Sequence, residues 1–94
     1  MVLTRLQFHL FFPASQSLKD KRQILKGLKD RIRGHYNVSL LEDQEHADVW
    51  QRCQLDCAYL SPEMGAAQET QASLRRTIET ELRCVLTHVE EERY

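Results

Sequence analysis

The chain has 94 residues, of which 41% are hydrophobic and 29% charged, and its formal net charge is −1. This length supports one domain, and this mixture is typical of a globular protein, which argues against disordered, collagenous and membrane classes. Because the net charge is close to zero, we expect attraction to nucleic acid or to a membrane surface only from a local patch.

The N-terminal segment is too polar for a leader or a membrane anchor. Arg5, Gln7 and His9 interrupt its apolar run, which ends at Pro13, so we expect neither a secretory signal nor a span of about 20 residues. The three cysteines are an odd number and too few for a disulfide framework, which suits a reducing compartment. We therefore expect a cytoplasmic protein that does not enter a membrane.

The first strand and the first helix have the clearest patterns. Residues 2–12 alternate between apolar and polar side chains, as a half-buried strand does. Ser17, with Asp20 three residues later, predicts a helix N-terminus, and Gly34 predicts a left-handed stop at the other end. Apolar residues recur between them at helical spacing, namely Leu18, Ile24, Leu25, Leu28 and Ile32.

The remaining chain predicts two more strands, a second helix and a last strand. Alternation predicts strands at 36–40 and 53–59, separated by an acidic loop at 42–48. Ser61 and Pro62 together predict the N-cap and the first residue of a second helix. Residues 83–89 alternate again and predict the fourth strand, which an acidic tail follows.

The predicted order β-α-β-β-α-β indicates an α+β, ferredoxin-like sandwich that forms a single domain over residues 1–94. Right-handed crossovers place both helices on one face of a four-stranded antiparallel sheet. The other face of the sheet is then left uncovered.

Three segments carry a family resemblance: residues 17–22 (SLKDKR), residues 37–39 (NVS) and residues 48–52 (DVWQR). In this order and spacing they resemble the YlxP-like family of small uncharacterised bacterial proteins, from the first strand through the third. The resemblance implies a ferredoxin-like fold. Because members are often encoded beside translation and ribosome-maturation genes, it also implies a role near the ribosome, although the family has no established biochemical activity.

Basic side chains recur at steps of three and four along the first helix. They form one stripe, called the basic stripe below, consisting of Lys19, Arg22, Lys26, Lys29 and Arg33. The stripe runs for about 21 Å, which is comparable with several phosphate spacings of a nucleic acid. Two uses stay open: a solvated face that keeps the protein in solution, or contact with an anionic partner. Only Asp30 borders the stripe, so most of its charge is not cancelled within the helix, and contact with an anionic partner is nearly as well supported as a solvated face.

Lys21 and Trp50 each allow a structural and a functional interpretation. Lys21 falls among the apolar residues of the first helix, so we expect it to extend its ammonium to water near Pro13, or to bind a phosphate at the helix N-terminus. We expect Trp50 to close the end of the hairpin over the core. The alternative is that Trp50 stacks on an RNA base with Arg52 beside it.

Metal binding and catalysis have little support in the sequence. Cys53 and Cys57 lie four residues apart on a predicted strand, about 13 Å, which is too far to share one ion. Cys84 and the four histidines show no ligand spacing either, so we expect buried thiols, surface imidazoles, no metal and no cofactor. No phosphate-binding loop or nucleophile motif is present, which predicts a non-catalytic protein.

The leading hypothesis is therefore a non-catalytic protein that associates with RNA or the ribosome through the basic stripe, with Lys21 and Arg52 as further contacts. The alternative is a protein-interaction or homodimerisation module that uses the uncovered sheet face. Leu3, Phe11 and Leu60 point outward in the predicted strands and would then be buried.

Overall fold

The computed structural model describes all 94 residues. Six elements follow one another: β1 (Val2–Phe11), α1 (Leu18–His35), β2 (Ser39–Glu42), β3 (Arg52–Ser61), α2 (Met64–Glu79) and β4 (Val85–Arg93). The four strands form one antiparallel sheet in the order β2-β3-β1-β4. Each helical connection therefore joins two strands with a third between them, and the predicted ferredoxin-like α+β fold is confirmed.

The hydrophobic core lies between the sheet and the two helices. Every second residue of β1 and β3 faces the helices and is buried, in agreement with the alternation of the sequence. The core consists of Leu6, Phe8, Leu10, Phe12, Ile24, Leu25, Leu28, Ile32, Cys53, Leu55, Cys57, Tyr59, Ala67, Leu74, Ile78 and Cys84. Neither helix has the length and apolar character needed to cross a membrane.

Helix α1 begins as predicted but ends differently. The Ser17 hydroxyl accepts a hydrogen bond from Asp20 N at 3.1 Å, which confirms the N-cap. The left-handed stop at Gly34 is wrong, because no residue has a positive φ and the helix continues through His35. Tyr36 is the extended C-cap instead. Its hydroxyl group is hydrogen-bonded with the hydroxyls of Ser73 and Thr77 on α2, which holds Tyr36 in place where the chain leaves the helix.

Strand β2 lies later in the chain than predicted. It covers Ser39–Glu42 rather than 36–40, because Tyr36 serves as the helix cap and packs against the core. In the observed register Leu40 faces inward beside Cys57, a buried core residue. Glu42, which the sequence pattern places in the loop, is thus the last residue of the strand, and its side chain faces α1.

The start of α2 and the end of β4 also differ from the prediction. Ser61 is the last residue of β3, and Glu63 is the N-cap, whose carboxylate accepts hydrogen bonds from Gly65 N and Ala66 N at 2.9 and 2.7 Å. Strand β4 begins later than predicted and continues through the acidic residues to Arg93. The strand extends this far because residues of β1 pair with it along its whole length.

Candidate nucleic-acid interface on helix α1

The basic stripe lies on the side of α1 that faces solvent. The buried face of the helix packs on the sheet, which turns the stripe outward. Lys19, Arg22, Lys26 and Arg33 are exposed, while Lys29 is partly buried. The helix therefore presents a row of cations, as the spacing predicts.

Two members of the stripe are paired with carboxylates. Lys26 Nζ donates a hydrogen bond to Asp30 Oδ2 at 2.8 Å, an exposed pair in which the hydrogen bond raises the pKa of Lys26 and lowers that of Asp30. Lys29 Nζ lies 3.0 Å from Glu42 Oε1, and both side chains are partly buried. Asp30 is therefore not the only carboxylate beside the stripe, because β2 brings Glu42 to its flank. The ammonium of Lys29 is held in this pair.

The remaining three cations have no carboxylate partner. The Arg33 guanidinium donates a hydrogen bond to the carbonyl oxygen of Leu40 at 3.2 Å, an uncharged acceptor. Lys19 and Arg22 form neither an ion pair nor a side-chain hydrogen bond. The positive charge that can meet a ligand is thus concentrated in the first two turns of α1 and at Arg33.

The expectation that Lys21 extends its ammonium to water near Pro13 is wrong. The residue is 2% exposed, and its ammonium donates hydrogen bonds to the carbonyl oxygens of His46 and Val49 at 2.6 and 2.7 Å. It has no carboxylate partner, so backbone dipoles of the loop solvate the charge. Because its donors point into the molecule, Lys21 does not belong to the surface that contacts a phosphate.

The loop between β2 and β3 is folded around Asp43. Asp43 Oδ1 accepts from Gln54 N at 2.9 Å, while Oδ2 accepts from His46 N at 3.0 Å and lies 2.6 Å from His46 Nδ1. Burial acts to raise the pKa of Asp43, but these hydrogen bonds outweigh it and the pKa is lowered. Asp43 and Lys21 together hold the loop against the N-terminal end of α1.

Trp50 and Arg52 lie at this end of the molecule but do not extend the stripe. Trp50 is 45% exposed, so its predicted role as a core anchor is wrong. Arg52 lies on the uncovered face of the sheet, with its guanidinium 5.8 Å from the centroid of the Phe11 ring. The sheet therefore separates Arg52 from the basic stripe, and the structure does not bring the two together.

The cysteines are buried, as expected. Burial raises the pKa of Cys53 to about 12 and the pKa values of Cys57 and Cys84 to about 11. The thiols are therefore protonated and shielded in the folded protein.

Two of the histidines are neighbours in space although they lie far apart in the sequence. His9 and His88 are directly paired on β1 and β4, with Glu90 beside them on the uncovered face. The spacing along the chain gives no sign of this group, because 79 positions separate the two histidines in the numbering. Only the pairing of the first strand with the last one could have indicated it.

The model of the family described as "Protein of unknown function (DUF503)" matches residues 3–91. No curated protein matches the chain.

Proposed function

Because the chain belongs to the DUF503 family, whose description assigns no activity, we propose its function from its own surface: a non-catalytic, cytoplasmic protein that associates with RNA or the ribosome through the basic stripe of α1. The observation that carries the proposal is the pair of exposed cations Lys19 and Arg22, which have no carboxylate partner in the first two turns of the helix. Phosphate groups are natural partners for such cations.

The contact surface that the proposal requires is smaller than the full stripe. It consists of Lys19, Arg22, Lys26 and Arg33, which are exposed. The pair of Lys26 with Asp30 lies in solvent, where water screens the attraction, so a phosphate can replace the carboxylate. Lys29 is left out because Glu42 holds it.

RNA is the proposed polyanion because of the resemblance to the YlxP-like family. Segments at residues 17–22, 37–39 and 48–52 carry this resemblance, and the neighbouring translation genes of that family direct the proposal to the ribosome. The exposed Trp50 ring adds a surface on which an unpaired base can stack. It lies at the end of the molecule that carries Lys19 and Arg22, since Lys21 holds its loop there.

The test compares two charge-removing double variants for binding to a labelled RNA hairpin and to purified ribosomal subunits. Lys19→Gln with Arg22→Gln removes two charges from α1, and Arg75→Gln with Arg76→Gln removes two from α2 as a matched control. We expect the first variant to bind more weakly and to reduce the slope of log K against log salt by about 1.4 to 1.8, at about 0.7 to 0.9 per phosphate contact. The control should bind as the unchanged protein does.

Two results would refute this proposal. One is the absence of saturable binding to both ligands, and the other is an equal loss in the α1 and α2 variants. Equal loss would mean that any cation serves, so the stripe would have no special role.

The alternative function, homodimerisation, is favoured by the apolar side chains on the uncovered face of the sheet. Leu3, Leu41, Leu60 and Val85 are 39%, 66%, 62% and 47% exposed there. Burying such groups against a second copy would stabilise a dimer. Sedimentation over a range of concentrations distinguishes the two functions, because a dimer that Leu41→Glu dissociates favours this alternative. A protein that stays monomeric removes it.

A further inference from the structure

Two charged side chains on the uncovered face of the sheet have no partner of opposite charge. Arg52 and Asp56 both lie on β3 and both point away from the helices, because the residues that alternate with them are the buried ones. The other acidic, basic and histidine side chains of this face contact one another within the chain: Arg5 with Glu92, and Glu90 with His9 and His88. The unpaired charges of this face are therefore one cation and one anion on the same strand.

The two charges lie symmetrically on either side of Gln54, which faces the same way. Four residues of an extended strand place Arg52 and Asp56 about 13 Å apart, too far for them to pair with each other. The side-chain partner of Asp56 is the neutral Gln54 amide, whose Nε2 donates a hydrogen bond at 3.1 Å. The Arg52 guanidinium lies 5.8 Å from the centroid of the Phe11 ring. Both charges thus remain available to a partner.

A strand with this pattern is complementary to a second copy of itself that runs in the opposite direction. A twofold axis that crosses β3 at Gln54 places each Arg52 opposite the other copy's Asp56, so two ion pairs form at once. A closed dimer uses the same patch on both copies in this way.

The geometry of stacked sheets allows these two contacts. Sheets that pack face to face lie about 10 Å apart and are rotated by about 30°. Arg52 and Asp56 are each only two residues, about 6.6 Å, from Gln54. The rotation therefore displaces the facing side chains sideways by only about 3 Å. A long arginine side chain that faces a short aspartate can bridge this arrangement.

The uncovered face also has the size and the apolar groups that a dimer needs. Strands β1, β3 and β4 are 10, 10 and 9 residues long, so at about 3.3 Å per residue and 4.8 Å per strand they cover roughly 500 Å² in projection. Their side chains add to this area, which approaches the 800 Å² or so that each partner buries in a stable complex. Phe11 lies next to Arg52 on β1, and Leu41 lies next to Asp56 on β2. Burial of these apolar neighbours would reduce the screening of both ion pairs by water.

We propose that the uncovered face binds a second copy of this chain in one register, in which the two β3 strands cross antiparallel at Gln54 and Arg52 of each copy pairs with Asp56 of the other. The inference rests on homodimerisation, the alternative function above, and adds the residues that determine how the copies align. A partner surface of a single sign would match only one of the two charges, whereas a second copy matches both.

The test reverses each charge and measures self-association by sedimentation velocity from micromolar to millimolar concentrations. Arg52→Glu leaves two acidic groups at these positions and Asp56→Arg leaves two basic ones, so each variant repels itself. We expect the Kd of each dimer to rise by at least about ten-fold. When the two variants are mixed, opposite charges meet at both contacts, and a heterodimer should form about as tightly as the dimer of the unchanged protein. The variant that carries both substitutions should also dimerise.

Matched controls reverse one charge of each sign on the helical side. Arg76→Glu and Glu69→Arg change exposed residues of α2 that form no ion pair, and both should leave the Kd of the dimer unchanged. Recovery of association in the mixture also separates the effect from a loss of folding, because two misfolded chains would not restore each other's interface.

The outcomes distinguish this register from homodimerisation in general. If the unchanged protein dimerises but the two reversals weaken the dimer no more than the controls do, the register is wrong while homodimerisation stands. If the reversals weaken the dimer and mixing does not restore it, Arg52 and Asp56 do not face each other across the interface. A chain that stays monomeric throughout overturns both proposals and leaves this face to a different kind of partner.

Discussion

The substitution Lys21→Met isolates the contribution of the buried ammonium to the structure of the loop before β3. Methionine keeps an unbranched apolar side chain that can fill the same space between α1 and the sheet. It cannot donate the hydrogen bonds that Lys21 makes to the carbonyl oxygens of His46 and Val49 at 2.6 and 2.7 Å. The loop that carries Trp50 then loses its attachment to the helix.

The magnitude is a difference between two larger quantities. Hydrogen bonds to a charged group contribute about 1.5–3 kcal/mol each, so the loss of two costs about 3–6 kcal/mol. The lysine has no carboxylate partner, and removing its charge recovers several kcal/mol of desolvation free energy. Both carbonyl groups belong to a surface loop and can bind water once it moves. We therefore expect a net decrease in the free energy of unfolding of about 1–3 kcal/mol, with the change concentrated in the loop.

Two measurements separate local from global effects. Urea unfolding followed by far-UV circular dichroism gives the free energy of unfolding, and amide hydrogen exchange reports the opening of residues 43–50. Exchange in this loop should accelerate more than exchange in the core strands. Lys26→Met, which removes an exposed charge, is the matched control and should change neither quantity. If Lys21→Met exchanges in the loop like the unchanged protein, the ammonium does not hold the loop and this reasoning is wrong.

Three further predictions concern groups away from the loop. The Arg83 side chain holds the pKa of Glu81 at about 2, well below its ordinary value of 4.5. The resulting stability, on the order of 2 kcal/mol, should be complete above pH 4.5 and should be lost as the pH falls toward 2. The urea midpoint of Glu81→Gln should therefore depend less on pH in this range than that of the unchanged protein. Tyr36→Phe should cost about 1–2 kcal/mol in urea unfolding, because the hydroxyl bonds to Ser73 and Thr77 of α2 disappear. The three thiols should resist a thiol-reactive disulfide reagent near neutral pH until the chain unfolds, and rapid labelling of the native protein would contradict their burial.

The features of the fold that depend on local patterns could be predicted from the sequence. Alternation in β1 and helical spacing in α1 each bury one face, and the Ser17 cap needs only the next three residues. The exit from α1 could not be predicted, because Tyr36 is held by α2, which lies about forty positions further along the chain. Ser61 and Pro62 suggest a cap by composition, but the pairing of Ser61 with Val2 keeps β3 extended and moves the cap to Glu63.

The candidate site, too, could be predicted from the sequence only in part. The position of the cations around α1 follows from helix geometry alone, so the stripe could be predicted. The ion pair of Lys29 with Glu42 could not be predicted. Glu42 lies on β2, and the position of that strand, which is later in the chain than the pattern indicates, determines where the carboxylate lies. Lys21 shows the same limit: its apolar neighbours indicate burial, but the carbonyl groups that accept its hydrogen bonds belong to an irregular loop with no periodic pattern.

The sheet places the basic stripe and the apolar face proposed for homodimerisation on opposite sides, so the two proposed functions can be tested separately. Lys19 and Arg22 face solvent on the helical side, whereas Leu41 and Leu60 lie on the uncovered face. Neither pair contributes to the hydrophobic core. Removing the cations should therefore leave self-association unchanged, and Leu41→Glu should leave RNA affinity unchanged. Since β3 carries Leu60 on one face and core residues on the other, a substitution in β3 that abolishes both RNA binding and self-association acts on the packing of the sheet rather than on either surface.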